Sequence, residues 1–181
     1  MIKLTYFVHG TTIQNEKGIV AGWTPRELSE IGIRQAIELG KIKKATKFDM
    51  IFSSDLKRAI DTAKLAFKDD CKIISDNRLR EINYGDFTNK PLAQFRSNRI
   101  QYVTNPFPSG ESYKDVELRV LHFLTFIKTK YTKKHIAIVA HQAPQLALDV
   151  ILKKKSWEQA IAEDWRLTKE WKPGWNYSIQ E

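Results

Sequence analysis

The sequence predicts an α/β fold, a three-layer α/β/α sandwich with a mostly parallel central sheet. Two observations lead there. Short β-favouring apolar runs alternate with segments whose apolar residues recur at helical spacing, the pattern of βαβ units with helices on both sheet faces. The chain also has 181 residues, 42% hydrophobic and 28% charged, which suits one hydrophobic core and argues against disorder or low complexity. Residues 1–181 are therefore expected to form a single domain.

The elements follow in order. Ile2–Val8 is β-favouring, with Tyr6, Phe7 and Val8, and ends at His9-Gly10. A helix comes next, capped either at Thr24 (Thr-Pro-Arg-Glu) or at Ser29, with Ile33, Ala36, Ile37 and Gly40 at helical spacing. The basic run Lys41–Lys44 suits its C-terminus. Phe48–Phe52 reads as a buried strand and Ser53-Ser54-Asp55 as a turn and cap. The helix behind it presents Leu56, Ala59, Ile60, Ala63 and Phe67 on one face. A helix from about Ser112 aligns Val116, Val120, Phe123 and Ile127 and leads into a strand at His135–Ala140. His141 follows, with Pro144 near the start of another helix carrying Leu146, Ala147, Val150 and Ile151. Between about residues 86 and 112 the pattern breaks at Pro91, Pro106, Pro108 and Gly110, as expected of an excursion over the sheet edge that shapes a substrate pocket. Its aromatic residues Phe87, Phe95, Tyr102 and Phe107, with Tyr84 just before them, either line that pocket or pack beneath the loop. The stretch 156–181 holds four of the five tryptophans and ends in a strand around Trp175–Ile179.

Charge and cysteine narrow the classes. Thirty Lys+Arg against 21 Asp+Glu leave +9, which favours an anionic partner. The clusters Lys41–Lys44, Lys133–Lys134 and Lys153–Lys155 lie mostly at expected helix ends, and no nucleic-acid-binding signature accompanies them. A specific nucleic-acid partner is therefore not expected. The single cysteine, Cys71, excludes an internal disulfide and a zinc ribbon. Apolar runs such as Ile136–Ala140 are far shorter than the ~18–20 residues that span a bilayer, so no membrane partner is expected. The N-terminal segment lacks the features of a secretion signal, and the expected location is cytoplasmic. The sequon Asn176-Tyr177-Ser178 then reads as a chance match.

In open α/β sheets ligands bind beyond the carboxyl ends of the strands. His9, Arg58 and His141 each follow one expected strand and lie at or near a helix N-terminus. Two imidazoles, a guanidinium and free amide groups at one spot suit a phosphoryl group. Taken singly, either histidine reads equally as a satisfied rim residue.

The motifs then resemble a known family. Phe7-Val8-His9-Gly10-Thr11-Thr12-Ile13-Gln14-Asn15 is similar to the opening motif of the histidine phosphatase superfamily, also called phosphoglycerate mutase-like. Gly22-Trp23, Leu28–Gly32, Phe52–Ala59 with Thr62-Ala63, Leu79–Gly85, Pro108–Ser112 and Val139–His141 resemble its later blocks, in its order. The resemblance implies that His9 becomes phosphohistidine, its second ring nitrogen held by a backbone carbonyl. It implies that Arg58, Asn15, Gly10 and Gln142 bind the phosphate and that His141, as imidazolium, neutralises its oxygens. Glu81 would protonate the leaving oxygen and then activate water, which calls for a raised pKa. Read without the resemblance, Glu81 beside Arg78 and Arg80 is a surface ion pair. No cofactor and no metal are implied, and the partner is a small phosphorylated metabolite.

The sequence departs from the family pattern at Val8, where an arginine is usual. A slow enzyme, compensation by Lys17 or Lys57, or a weakened phospho-ligand binder would each account for that change. His9, Arg58, Glu81 and His141 together favour catalysis. Thr11 and Gln142-Ala143 also depart from the pattern, at the pocket rim. The short chain resembles the compact phosphatase branch, with mutase-type phosphoryl transfer as the alternative. A metal site on His9, His141 and Glu81 is a rival reading that the neighbouring Arg58 opposes.

Overall fold

The computed structural model describes residues 1–43, 45–67, 72–167 and 174–180, so Lys44, Cys71 and Trp171 lie outside the described residues. Five strands form one sheet: β1 (Ile2–Val8), β2 (Met50–Ser53), β3 (Ile73–Ser75), β4 (His135–Ala140) and β5 (Trp175–Ile179). Their order is β3-β2-β4-β1-β5, and every neighbouring pair is parallel except β1 with β5. The helices are α1 (Ile13–Glu16), α2 (Glu30–Lys43), α3 (Lys57–Ala66), α4 (Tyr113–Lys130), α5 (Gln142–Lys153) and α6 (Trp157–Ala162).

Pleating sends alternate strand residues to opposite faces, and both faces are apolar here. Phe7, Ile51, Ala137 and Val139 meet Leu39 of α2 with Ala63 and Ala66 of α3. Ile2, Leu4, Tyr6, Phe52, Ile136 and Ile138 meet the Val116, Val120, Phe123 and Ile127 stripe of α4 with Leu146 and Ala147 of α5. Each fully buried large aliphatic or aromatic side chain contributes about 1.5–3 kcal/mol of transfer free energy, so the two layers of contacts hold the sandwich.

Several local expectations are refined. Helix α2 begins at Glu30, with the Ser29 carbonyl accepting from Ile33 and its Oγ from Gly32; Thr24 stays in the preceding loop. Its buried side is Ala36 and Leu39, whereas Ile33 and Ile37 face solvent. Gly40 lies against α3, where a Cβ would stand 2.6 Å from the Ala66 carbonyl oxygen. Strand β2 starts at Met50, and Phe48 packs ahead of it against the Phe7 and Phe67 rings. Asp55 does not cap α3: the N-cap is Leu56, and Asp55 is taken by Arg80 at 2.6 Å. Ser112 does cap α4, its Oγ accepting from the Asp115 amide at 3.1 Å while Asp115 accepts from the Ser112 amide at 2.8 Å.

The excursion is a chain of 3₁₀ turns at Gly85–Phe87, Leu92–Gln94 and Arg96–Tyr102. Phe107 stacks on Tyr102 at 3.9 Å between ring centroids, with Phe95 and Phe87 edge-on to it. These four rings pack beneath the loop, and only Tyr84 of the five reaches the cavity described next. Among the described residues, no helix is long and apolar enough to cross a membrane.

Candidate active site

Strand register builds the site. Val8 is level with Ala140, so the residues after them, His9 and His141, emerge side by side at the carboxyl ends of β1 and β4. Their rings lie 5.0 Å apart at 60°. The His9 amide donates to the Ala140 carbonyl at 3.0 Å. Tyr6 fixes the second histidine from below: its hydroxyl donates to the His141 carbonyl at 2.6 Å and accepts from the His141 amide at 2.9 Å.

The His9 Nδ1 is 2.7 Å from the Gly10 carbonyl oxygen, so Nδ1 carries the hydrogen. Nε2 is then a lone-pair nitrogen, and Arg58 Nε donates to it at 3.3 Å. Burial, then the Arg58 charge, hold the His9 pKa well below the ordinary histidine value, which keeps the ring neutral. The backbone-carbonyl partner expected for this ring is thus present. Gly10 itself serves as scaffold. Its carbonyl takes the imidazole, its amide donates to Thr62 Oγ1 at 3.0 Å, and a Cβ there would lie 2.4 Å from the Gly32 carbonyl oxygen.

Arg58 is buried beneath the cavity, with Nη2 donating to the Gly22 carbonyl at 2.8 Å and Nη1 to the Thr24 carbonyl at 3.3 Å. Burial pushes its pKa down to about 10, so the guanidinium remains charged at neutral pH. His141 is fully buried, and neither ring nitrogen has a partner among the described residues. Burial, then Arg58 and His9, hold its pKa well below the ordinary value. The imidazolium expected from the sequence is therefore not the form that this burial favours, and His141 lies behind the residues that line the cavity described below.

Glu81 forms no ion pair with its neighbours, since Arg80 is bound to Asp55 and Arg78 to Asp76. Its carboxylate turns to the start of α5: Oε1 accepts from the Ile82 and Ala143 amides at 2.9 and 3.0 Å, and Oε2 from the Gln142 amide at 3.2 Å. The segment carrying it is held from behind. Trp23 Nε1 and Arg119 Nη2 donate to the Glu81 carbonyl at 2.7 and 3.0 Å. Glu111 accepts from the Asn83 amide at 2.8 Å and from Arg119 Nε at 3.0 Å. Gly85, at φ +51°, lies where a Cβ would stand 1.9 Å from the Pro108 carbonyl oxygen. The Pro108–Ser112 motif thus braces the Glu81 segment.

His9, Asn15, Arg58, Glu81 and Gln142 line one cavity of about 330 Å³. Asn15 closes the α1 capping box through Oδ1, which accepts from the Thr12 amide at 3.0 Å and leaves its NH₂ end as the donor. Gln142 is committed to the frame, its side-chain amide bonded to Asp164 and its backbone amide to Glu81. Lys57 does not stand in for the missing arginine: it pairs with Asp61 and Glu27, and neither it nor Lys17 lines the cavity. Two arginines not anticipated from the sequence do line it, Arg96 and Arg166, together with Trp165 and Val8. Among the described residues, no three His, Cys, Asp or Glu side chains are grouped to hold a metal ion, so His9, His141 and Glu81 form no such cluster.

Known proteins share this arrangement of chain. The chain is 35% identical over 134 residues to the fructose-2,6-bisphosphatase TIGAR of Xenopus tropicalis, a match covering 68% of this chain and 49% of that one. It thus spans about half the length of the frog protein. A 2,3-bisphosphoglycerate-dependent phosphoglycerate mutase of Methylorubrum populi is 32% identical over 160 residues, covering 80% of this chain and 76% of the mutase. Among solved structures, a mycobacterial glucosyl-3-phosphoglycerate phosphatase in complex with VO3 superposes with a TM-score of 0.77 at 28% identity, covering 88% of this chain and 86% of that one. The description of the histidine phosphatase superfamily (branch 1) matches residues 6–168. With that match laid over the sheet that sets His9 beside His141, the chain belongs to the histidine phosphatase superfamily, whose similar members include both phosphatases and mutases.

Proposed function

We propose that the protein is a metal-independent phosphatase of the cytoplasm that hydrolyses a small phosphomonoester through a phosphohistidine on His9. The observation that carries this reading is the tautomer of His9: Nδ1 is tied to the Gly10 carbonyl, so Nε2 carries the lone pair, which accepts from Arg58 Nε at 3.3 Å and is aimed at the group that guanidinium would hold. Nε2 attacks phosphorus and the P–O ester bond breaks. Glu81 gives its proton to the departing oxygen. Oε2, with one backbone donor against two on Oε1, is the oxygen with room for that proton. In the second half Glu81 takes a proton from water, the water oxygen bonds to phosphorus, and the P–N bond returns its electron pair to His9. Arg58, the Asn15 NH₂ and His141, protonated once the anion arrives, carry the oxygens' charge.

The named relatives support phosphoryl chemistry on this chain, and the compact excursion favours hydrolysis over transfer between two organic acceptors. His9→Ala is expected to abolish turnover of p-nitrophenyl phosphate, and wild-type phosphoenzyme trapped by an alkaline detergent quench should lose its phosphate in acid but not in alkali. Activity surviving in His9→Ala, or an acid-stable phosphoenzyme, would assign another nucleophile. Activity should persist with a chelator present. A panel of phosphoglycerates, sugar phosphates and nucleotides separates hydrolysis from mutase transfer, which would yield an isomeric phosphoglycerate instead of inorganic phosphate.

A further inference from the structure

We propose that Arg166, reaching in from the C-terminal segment, binds the substrate's phosphoryl group and supplies the second guanidinium that the end of β1 lacks. The inference rests on the phosphatase reading above. The need arises from the strands. Val8 presents an apolar side chain to the cavity beside His9, so no charge comes from that wall. Arg58 cannot meet the demand alone, because three of its five N–H donors already serve His9, Gly22 and Thr24.

Arg166 has the missing properties. It lines the same cavity, and its Nη1 is buried with no partner among the described residues. A buried donor left unsatisfied is costly unless a ligand supplies the acceptor. Its charge also reaches the reacting groups, contributing to the lowered pKa of His9, Arg58 and His141. The Arg58 and Arg166 guanidinium groups against the Glu81 carboxylate leave the cavity wall net positive, a charge that a phosphoryl dianion complements.

The residue is also held in place. Its backbone amide donates to Asp164 Oδ1 at 3.2 Å, and its guanidinium lies over the Trp165 ring at 4.9 Å. Asp164 does not neutralise it, because Oδ2 accepts from Arg99 Nη1 at 2.9 Å and from the Gln142 side-chain amide. Arg96 lines the cavity too, but its exposed side chain keeps its charge in contact with solvent.

A double-mutant cycle tests the assignment: wild type, Arg166→Ala, Val8→Arg and the combination, read by p-nitrophenyl phosphate kcat/KM and by vanadate inhibition. Arg166→Ala should lower kcat/KM and weaken vanadate by about 10²-fold, with Arg166→Lys recovering part of each. Val8→Arg should restore about tenfold or more in the Arg166→Ala background and change the wild type by less than about threefold. Vanadate inhibition unchanged in Arg166→Ala, or an equal gain from Val8→Arg in both backgrounds, would overturn the assignment. Should Arg166→Ala lose its cooperative melt, Arg166→Gln carries the same comparison. Wild-type protein that neither turns over the ester nor binds vanadate would instead overturn the phosphatase reading, and this one with it.

Discussion

At the scale of single residues, the site depends on groups whose proton positions are set by backbone contacts. His9 is held neutral with its hydrogen on Nδ1, and His141 is hydrogen-bonded through its peptide group, since among the described residues neither ring nitrogen has a partner. Tyr6 carries that second constraint. Burial raises its phenol pKa well above the ordinary value, so the hydroxyl stays protonated and both donates to and accepts from the His141 peptide. Tyr6→Phe removes two buried hydrogen bonds without changing the ring's packing. We expect a loss of about 1–3 kcal/mol in stability from urea melts. We also expect kcat to fall about tenfold with KM nearly unchanged, as for a positioning residue. A destabilised variant with wild-type kcat would show that strand pairing alone holds His141.

At the scale of elements, three separate segments meet at the start of α5. Glu81 takes its backbone amides, Gln142 reaches Asp164, and Asp164 ties the excursion through Arg99 to the segment carrying Arg166. The Arg99–Asp164 pair is almost fully buried, so Asp164→Ala strands a buried guanidinium and should cost about 3–5 kcal/mol. Because the same change releases Arg166, vanadate inhibition should weaken as well, which a stability defect elsewhere in the sheet would not cause. This junction also marks the limit of what could be read from the chain. Strands β1, β4 and β5 and helix α4 were legible because their apolar spacing is unbroken and, for α4, Ser112 and Asp115 form a reciprocal cap. His9, Arg58, Glu81 and His141 were legible through motif resemblance. Strand β3 was missed, being three residues long, as were the short helices α1 and α6. Arg166 and Arg96 left no periodic signal, since each sits in a turn and only tertiary packing brings it to the cavity. The tryptophan-rich segment was the nearest hint: Trp165 lines the cavity, while Trp157 packs on Tyr113 and Trp175 edges onto Tyr6.

At the scale of the whole molecule, charge and pH are linked through the same cavity. Many surface lysines stand in exposed pairs, such as Lys134 with Asp49 and Lys41 with Glu38, which contribute little to stability. The two buried histidines matter more. Their pKa values are depressed in the folded state, so the native protein keeps them neutral while the unfolded chain takes up protons near the ordinary value of about 6.5. The unfolded state therefore binds more protons below that pH, and stability must fall with pH there. Their contribution is complete above about pH 6.5 and is lost as pH drops below it. Asp115, whose pKa is lowered by its hydrogen bonds to Ser112, has the same sign in a separate window, below the ordinary carboxylate value of 3.8. The urea midpoint should thus decline between about pH 7 and about pH 5, before carboxylates titrate. His141→Asn should flatten that decline. Saturating vanadate should flatten it too, because a bound oxyanion raises the His141 pKa and lets the folded state accept the proton. A midpoint constant across this range would mean that protons reach the imidazoles without unfolding the sheet ends that bury them.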